Sequence, residues 1–428
     1  MLPESLARIL LDRTPFMNLC TTTRQSQPDP IITGSQTLHP LWTAKLSEGY
    51  SVSLFDSVRE TKDVWDSMTY SESFFLRSRY LESVESNPPK GFVFGYLVFF
   101  RNQSPVGIAY CQWIRFSGRE HLDLSSLAAW KRFILKRISI SILVCGNMMR
   151  TGPNAFAFDA TVEEDKQAML LREGLDKLIC ERNLGHRQAA MWVLKDVPSE
   201  QFGVFDALPS CTGFDIQPGM ELDLPADWQS FDDYLASMTS KYRVRAKRAF
   251  KKMAGIERLP LNESRSEVFA EDLHRLYREV ANHSGFNMVA LPDDYFARMA
   301  YELGASFRAT AFTRNGEIVG FYTLIQSDSR SLEAHYLGFQ GKENRDSQLY
   351  LNMLYDIIRT GIDMKVSHIN LSRTALEIKS SVGATPRDYR LYTRHRCRIL
   401  NALFPIYFQR FVPEAHWEAR HPFGKESA

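Results

Sequence analysis

Residues Leu332–Pro386 read LEAHYLGFQGKENRDSQLYLNMLYDIIRTGIDMKVSHINLSRTALEIKSSVGATP, and this stretch decides the fold class. Leu332–Phe339 is apolar and aromatic with no breaker before Gly338, the composition of a strand. Gln340–Asp346 is polar and charged and reads as a turn. Leu351, Leu354, Ile358 and Ile362 then recur at helical spacing and share one face. Asp346 or Ser347 is expected to cap that helix, since either oxygen can accept from its first-turn amides. His368–Leu371 reads as a second short strand and Thr374–Val382 as a shorter helix, with Gly383 placed to end it at positive φ. Strand, helix and strand in this order make a parallel crossover. The helix amino terminus then faces the mouth between the strands with free N–H groups and partial positive charge, which suits a phosphate. The same unit can equally serve only to pack a sheet.

The chain has 428 residues, enough for two or three domains with full cores. A formal charge of +2 argues against a protein that coats a polyanion globally, and leaves room for a local basic face. Cys20, Cys111, Cys145, Cys180, Cys211 and Cys397 lie far apart with no paired spacing, which favours reduced thiols over a disulfide framework or a zinc site. The amino terminus, MLPESLARILLDRTP, carries charge through its apolar part and does not read as a secretory signal. Apolar runs such as Phe92–Phe100 suit a buried strand and are too short to span a bilayer. A soluble cytoplasmic protein is expected.

Residues 1–45, rich in Ser, Thr, Gln and Pro, read as an irregular arm. Phe92–Phe100 and Gly107–Phe116 read as strands joined at Arg101–Pro105, and Ile138–Cys145 as another strand followed by the loop Gly146–Asn154. Glu163–Arg182 is amphipathic, with Ala168, Leu171, Leu175 and Leu178 on one face, and Met191–Leu194 is a short strand. Pro198–Gly219 makes a seam. Beyond it, SFDDYLASMTSKYRVRAKRAFKKM reads as one capped helix, followed by helices over Ser266–Ala281 and Tyr295–Tyr301. Phe307–Arg314 and Glu317–Gln326 read as a hairpin about Asn315-Gly316. Phe99–Trp113 (FFRNQSPVGIAYCQW) and Phe312–Ile325 (FTRNGEIVGFYTLI) echo one another half a chain apart, and strand, loop, helix and strand follow each. A period this long indicates a duplicated domain.

This order of elements resembles the GNAT acyltransferase fold, and the second half is similar to the FemAB-like group, in which two such domains stand in tandem. The resemblance rests on Ser240–Lys252, Val319–Gly320, Tyr336–Gly338, Leu349–Tyr355, and Ser372–Arg373–Thr374 followed by Lys379 and Gly383. It covers Asp223–Arg398 well and the first half loosely. Gln340–Ser347 carries only Gly341 where single-domain members have several glycines, and Ser372 stands where a glycine usually precedes the Arg-Ser/Thr pair. The resemblance implies an α/β protein of two tandem GNAT-like domains with mixed central sheets flanked by helices. The expected division is an arm at 1–45, a first domain at 46–220 with a degenerate site, a working second domain at 221–405, and a tail at 406–428. It implies acyl or aminoacyl transfer to an amine, with acyl-CoA or aminoacyl-tRNA as donor and no permanently bound cofactor or metal. The acceptor is a small-molecule, lipid or cell-envelope-precursor amine, and tRNA and a membrane surface are the partners considered.

Acyl transfer needs hydrogen-bond donors at a developing oxyanion, an amine that loses a proton and a leaving group that gains one. Alternation puts Glu333 and His335 on one strand face, where the carboxylate can orient the imidazole as a base. Tyr389, or its neighbour Tyr392, is placed to return a proton. Arg373, Thr374, Lys379 and Tyr336 are the expected substrate-binding residues, Arg373 through its planar fork. Gly341, Asn344 and Arg345 stand at the donor turn. Lys241, Arg243, Arg245, Lys247, Arg248, Lys251 and Lys252 crowd one short helix, and Lys241 and Arg245 are assigned to substrate. Asn147, Thr151 and Gly152 occupy the matching place in the first half. The apolar tail Cys397–Val412 suits either a membrane interface or the domain body. A non-catalytic scaffold and an RNA-binding module using the basic helix are the competing readings.

Overall fold

The computed structural model describes residues 28–33, 36–68, 74–117, 119, 137, 139–282, 288–403 and 417–424. Ile31–Thr33 (β1) and Gln36–Leu38 (β2) form a small antiparallel pair. The first large sheet is built from Trp42–Lys45 (β3), Tyr50–Phe55 (β4), Val93–Arg101 (β5), Ser104–Ser117 (β6), Ser139–Cys145 (β7), Phe156–Phe158 (β8), Met191–Pro198 (β9) and Thr212–Asp215 (β10). The second contains Gly219–Asp223 (β11), Glu257–Leu261 (β12), Phe307–Arg314 (β13), Glu317–Gln326 (β14), Ser331–Phe339 (β15), His368–Asn370 (β16) and Thr385–Arg387 (β17). Tyr389–His395 (β18) follows in sequence and joins the first sheet.

The helices are Lys62–Met68 (α1), Ser78–Glu85 (α2), Glu164–Cys180 (α3), Phe202–Asp206 (α4), Phe231–Ser237 (α5), Ser240–Lys251 (α6), Glu263–Val268 (α7), Ala270–Asn282 (α8), Tyr295–Leu303 (α9), Gly341–Ser347 (α10), Leu349–Asp363 (α11) and Leu376–Ser380 (α12).

The two sheets repeat one plan. The β5–β6 hairpin turns through Asn102 and Gln103, and β13–β14 turns through Asn315 and Gly316, all at positive φ as a tight two-residue hairpin turn requires. In each hairpin a glycine stands opposite a phenylalanine, Gly107 with Phe99 and Gly320 with Phe312, and the register shifts at the next residue. The glycines admit close neighbours. A Cβ on Gly107 would lie 2.2 Å from the Phe158 ring, and one on Gly320 would lie 2.4 Å from Met353. A third strand pairs antiparallel with each hairpin (β7, β15), and a fourth returns parallel to it (β9, β16).

The division at 220/221 falls within β11 and separates the sheets except for one strand. After β10 the chain crosses so that β11 lies between β16 and β17, and after β17 it crosses back so that β18 lies between β9 and β10. The first sheet therefore holds one strand, β18, from the second half. One apolar core also spans both, bringing Phe75 and Tyr80 together with Tyr295, Phe296 and Met299. A shared core of this kind fixes the two domains relative to one another.

Several local expectations change. Part of the arm is ordered structure, since β3 forms the outer strand of the first sheet. The long basic helix breaks at Met238, whose extended backbone separates α5, capped by a Ser230–Asp233 box, from α6. The Pro198–Gly219 seam carries α4 and β10. Gln340–Asp346 folds mostly into α10, and Gln348, with φ 53°, is the N-cap of α11, whose first residue is Leu349. Neither Asp346 nor Ser347 caps α11; Asn344 accepts from the Tyr350 amide in their place at 2.9 Å. Cys111, Cys145, Cys211 and Cys397 are free, whereas Cys180 is disulfide-bonded, against the expectation of reduced thiols throughout. Most of Cys397–Val412 lies outside the described residues, and residues 417–424 pack Phe423 against Trp228 and Tyr234 of the second domain.

Candidate active site

The parallel pairing of β15 with β16 covers only Ser331–Glu333 against His368–Asn370. Beyond it the strands part. Two local features cause this. In β15 the ladder with β14 shifts opposite Thr323, whose hydroxyl accepts from Tyr336 N and donates to Tyr336 O. After β16 the backbone takes positive φ at Ser372, Thr374 and Ala375 and turns away. Asn370 stabilises this turn by accepting from Ser372 N at 2.7 Å, and Ser372 Oγ donates to Ala334 O at 3.0 Å. Among the described residues no strand pairs with the edge of β15 that faces this gap beyond Glu333.

The opening is a cavity of about 370 Å³. It reaches both faces of the second sheet, touching Tyr350, Leu354 and Ile357 of α11 on one side and Tyr277 and Val280 of α8 on the other. Leu337, Phe339 and Leu371 make its walls apolar, and His335, Tyr336, Ser372, Arg373, Thr374 and Lys379 add its polar groups.

Lys379 sits on one-turn helix α12 and is 4% exposed. Its Nζ donates to Ser372 O at 3.3 Å and to Arg373 O at 2.5 Å. Burial lowers its pKa to about 7. A charged amine has three protons and a neutral one two, so with two spent on carbonyls only the charged form has one left for the cavity.

Glu333 and His335 share a face, as alternation predicts, but they do not form a pair. Glu333 meets Arg150 of the first domain at 2.5 Å. Burial raises its pKa, with Arg150 opposing. His335 Nε2 lies 3.1 Å from the Tyr295 hydroxyl, and burial together with Arg150 pushes its pKa well below the usual histidine value. His335 is thus a neutral, hydrogen-bonding imidazole and a weak base at neutral pH.

Arg373 lines the cavity with its fork already engaged. It donates to Asp196 at 2.6 Å and to Gln217 O at 2.8 Å across the domain boundary. Asp196 also pairs with Lys195 and accepts from Gly152 N at 2.9 Å. Burial opposes its charge, but Lys195 and Arg373 outweigh burial and hold the carboxyl below its usual pKa.

The remaining assignments divide. Thr374 and Tyr336 are at the cavity, and Tyr336 reaches the first domain by donating to Met149 O at 3.3 Å. Tyr389 belongs to the first sheet and does not line the cavity. It donates to Glu221 at 3.1 Å, and burial followed by Glu221 drives its pKa far up, so it is placed as a structural tyrosine. Tyr392 is likewise committed to Asp206 at 2.8 Å. Gly341, Asn344 and Arg345 lie on α10 outside the lining. The Gly341 amide donates to the Glu279 carboxylate at 2.7 Å, so an acid already occupies the place expected for donor phosphate. Lys241 and Arg245 are exposed on α6, away from the lining. Arg150, Asp196 and Tyr295 escaped sequence reading, because each meets the site only through tertiary contact.

No family model matches the sequence, and no curated protein matches it. Solved structures similar to this chain include FemX, at 12% identity over 83% of this chain and 99% of that one, with a TM-score of 0.49. L-PGS from Bacillus licheniformis is similar at 11% identity over 76% of this chain and 94% of that one, with a TM-score of 0.43. A tandem GNAT protein from the clavulanic acid biosynthesis pathway is similar at 11% over 74% and 86%, also with a TM-score of 0.43. The fold is tandem GNAT-like. Its own twofold plan of hairpin, antiparallel strand and parallel return carries that description. Among the described residues, no helix is long and apolar enough to cross a membrane.

Proposed function

We propose that the protein transfers an acyl or aminoacyl group to an amine in the second domain. The observation that carries this reading is the cavity between parted parallel strands, with one free strand edge and a buried lysine on its wall. An extended donor arm can pair with the unpaired edge of β15 as an added strand would. The apolar walls of Leu337, Phe339 and Leu354 exclude water from the reacting carbonyl. The acceptor approaches from the α8 side, past His335 and Tyr336.

In the reaction the neutral amine attacks the donor carbonyl and a C–N bond forms. The C–S bond of a thioester, or the C–O bond of an aminoacyl ester, breaks. The new nitrogen loses a proton and the leaving thiolate or alkoxide gains one. Charged Lys379 donates its third proton to the developing oxyanion, the interaction that strengthens most in the transition state. Cytoplasmic placement and use of the basic helix by an RNA or membrane partner belong to this reading as proposals, since the exposed cations of α6 face outward.

The test is turnover of a panel of CoA thioesters and aminoacyl-tRNAs against pooled amines, with Lys379→Met alongside. Transfer by the wild type and its loss in the variant supports the reading. Turnover unchanged in Lys379→Met removes the lysine from the mechanism, and no donor turnover removes the activity.

A further inference from the structure

Four buried polar atoms gather between the domains: Arg150 Nε and His335 Nδ1 have no hydrogen-bond partner among the described residues, and Tyr80 Oη and Asn147 Nδ2 have none there beyond one another. Buried polar groups are rarely left unpaired, and a cluster of them marks the place of a polar guest. They belong to one neighbourhood. The Arg150 guanidinium lies 3.6 Å from the Phe75 ring, and that ring packs edge-on against Tyr80 at 5.0 Å. The Asn147 amide donates to the Tyr80 hydroxyl oxygen, which leaves the phenol proton and the second amide proton for a guest. Its Oδ1 accepts from Met149 N, and Met149 O accepts from Tyr336, whose ring is 4.6 Å from His335.

The chemistry of the four is one-sided. Asn147 Nδ2 and Arg150 Nε can only donate. The Tyr80 hydroxyl keeps its proton, because burial raises its pKa to about 12, and so has one to donate. In the tautomer in which the Tyr295 hydroxyl donates to Nε2, His335 carries its proton on Nδ1 and donates as well. Glu333 neutralises Arg150, and an incoming zwitterion preserves that balance, its carboxylate among the donors and its ammonium towards Glu333. His335 also lines the reaction cavity, so a guest held here reaches it.

We propose that this interdomain nest binds the carboxylate of the acceptor, and that the acceptor is an amino acid. The proposal rests on the transfer reading for the word acceptor, but the binding it asserts needs no donor. It gives the Gly146–Ala155 loop of the first domain a role in substrate recognition.

The experiment is calorimetric titration of the full-length protein with the common L-amino acids and with their methyl esters. The expected result is that at least one free amino acid binds and that its methyl ester binds about tenfold or more weakly, the loss expected when a carboxylate oxygen gives up charged hydrogen bonds. Tyr80→Phe should weaken the free acid by a similar factor while leaving the ester unchanged. The hydroxyl it deletes meets only the Asn147 amide, so a melting temperature within a few degrees of the wild type is expected and separates binding from folding. Equal binding of acid and ester, no binding by any amino acid, or unaltered affinity in Tyr80→Phe overturns the proposal. Amino-acid binding without any acyl transfer would retain the nest and discard the transferase reading. Transfer to amines that lack a carboxylate, with undiminished kcat/KM, would do the reverse.

Discussion

The same plan of elements is open in one half of the molecule and closed in the other. In the second half, β15 runs on past the pairing with β16 and leaves a cavity of about 370 Å³. In the first half the corresponding strand is broken. β7 stops at Cys145, the loop to Ala155 leaves the sheet, and β8 resumes the same edge of β6. Phe156 of β8 lies 6.1 Å from Phe205 of α4, which in turn packs on Tyr392 of β18. The gap left there is about 10 Å³, lined by Phe156, Ala168 and Phe205 among others. That is about the space of one water molecule. Where the second half turns a lysine into its cleft, the first half fills its own with aromatic rings. The displaced loop is reused, because it carries Met149 and Arg150 to the other domain. Duplication thus separates two tasks: one copy keeps the opening, and the other gives up its opening and braces its neighbour.

This contrast can be broken or sharpened by substitution. The largest effect is expected for Lys379→Met, which should lower kcat by about a hundredfold or more, the usual loss when an oxyanion donor is removed, with the fold intact. Steady-state rates and a melting curve check both parts. Next comes Leu354→Trp, which fills the open cleft and should weaken donor binding by about tenfold or more. The matched change in the closed cleft, Phe205→Ala, should cost about 3–5 kcal/mol of stability by denaturant unfolding and leave kcat/KM nearly unaltered. Lys379 also gives a pH signature. Its folded pKa lies at about 7, below the usual lysine value, so between these the unfolded chain holds a proton that the folded chain lacks. Stability should therefore rise with pH across that window, and Lys379→Met should flatten the rise. The rate limb due to Lys379 should run the other way, falling as pH rises through about 7, because the charged form carries the free donor. The smallest effects are expected for Gly107→Ala and Gly320→Ala, each costing about 1–3 kcal/mol by overpacking. The clash falls on Phe158 in one and on Met353 and Leu349 in the other, so only Gly320→Ala should also disturb donor affinity.

Much of this was legible in the chain. The hairpins showed in Arg-Asn turns between apolar runs, and the crossover helix showed in Leu351, Leu354, Ile358 and Ile362, because those signals are local. The return of β18 to the first sheet and the seating of β11 between β16 and β17 left no such mark. β11 and β17 are short segments whose pairing is decided by partners far away in sequence. For the same reason Tyr389, which follows Gly383 in the chain, read as a proton donor. It does lie near Arg373, whose guanidinium is 5.5 Å from its ring, but it faces Glu221 from the other sheet. Lys379 was legible as a candidate, whereas its depressed pKa needed the burial that packing supplies. At the Gly341 turn the amide donates to Glu279 on a separate helix, a contact that no local signal shows.

The central claim is that the opening of the second domain, and not its closed counterpart, receives the donor. Hydrogen exchange by mass spectrometry, with and without the donor that turnover identifies, tests it most directly. The account predicts slower exchange along Ala334–Phe339, as an incoming arm pairs with the free edge of β15, and no change along Cys145–Phe158. Protection of Cys145–Phe158 with none on Ala334–Phe339 would contradict it.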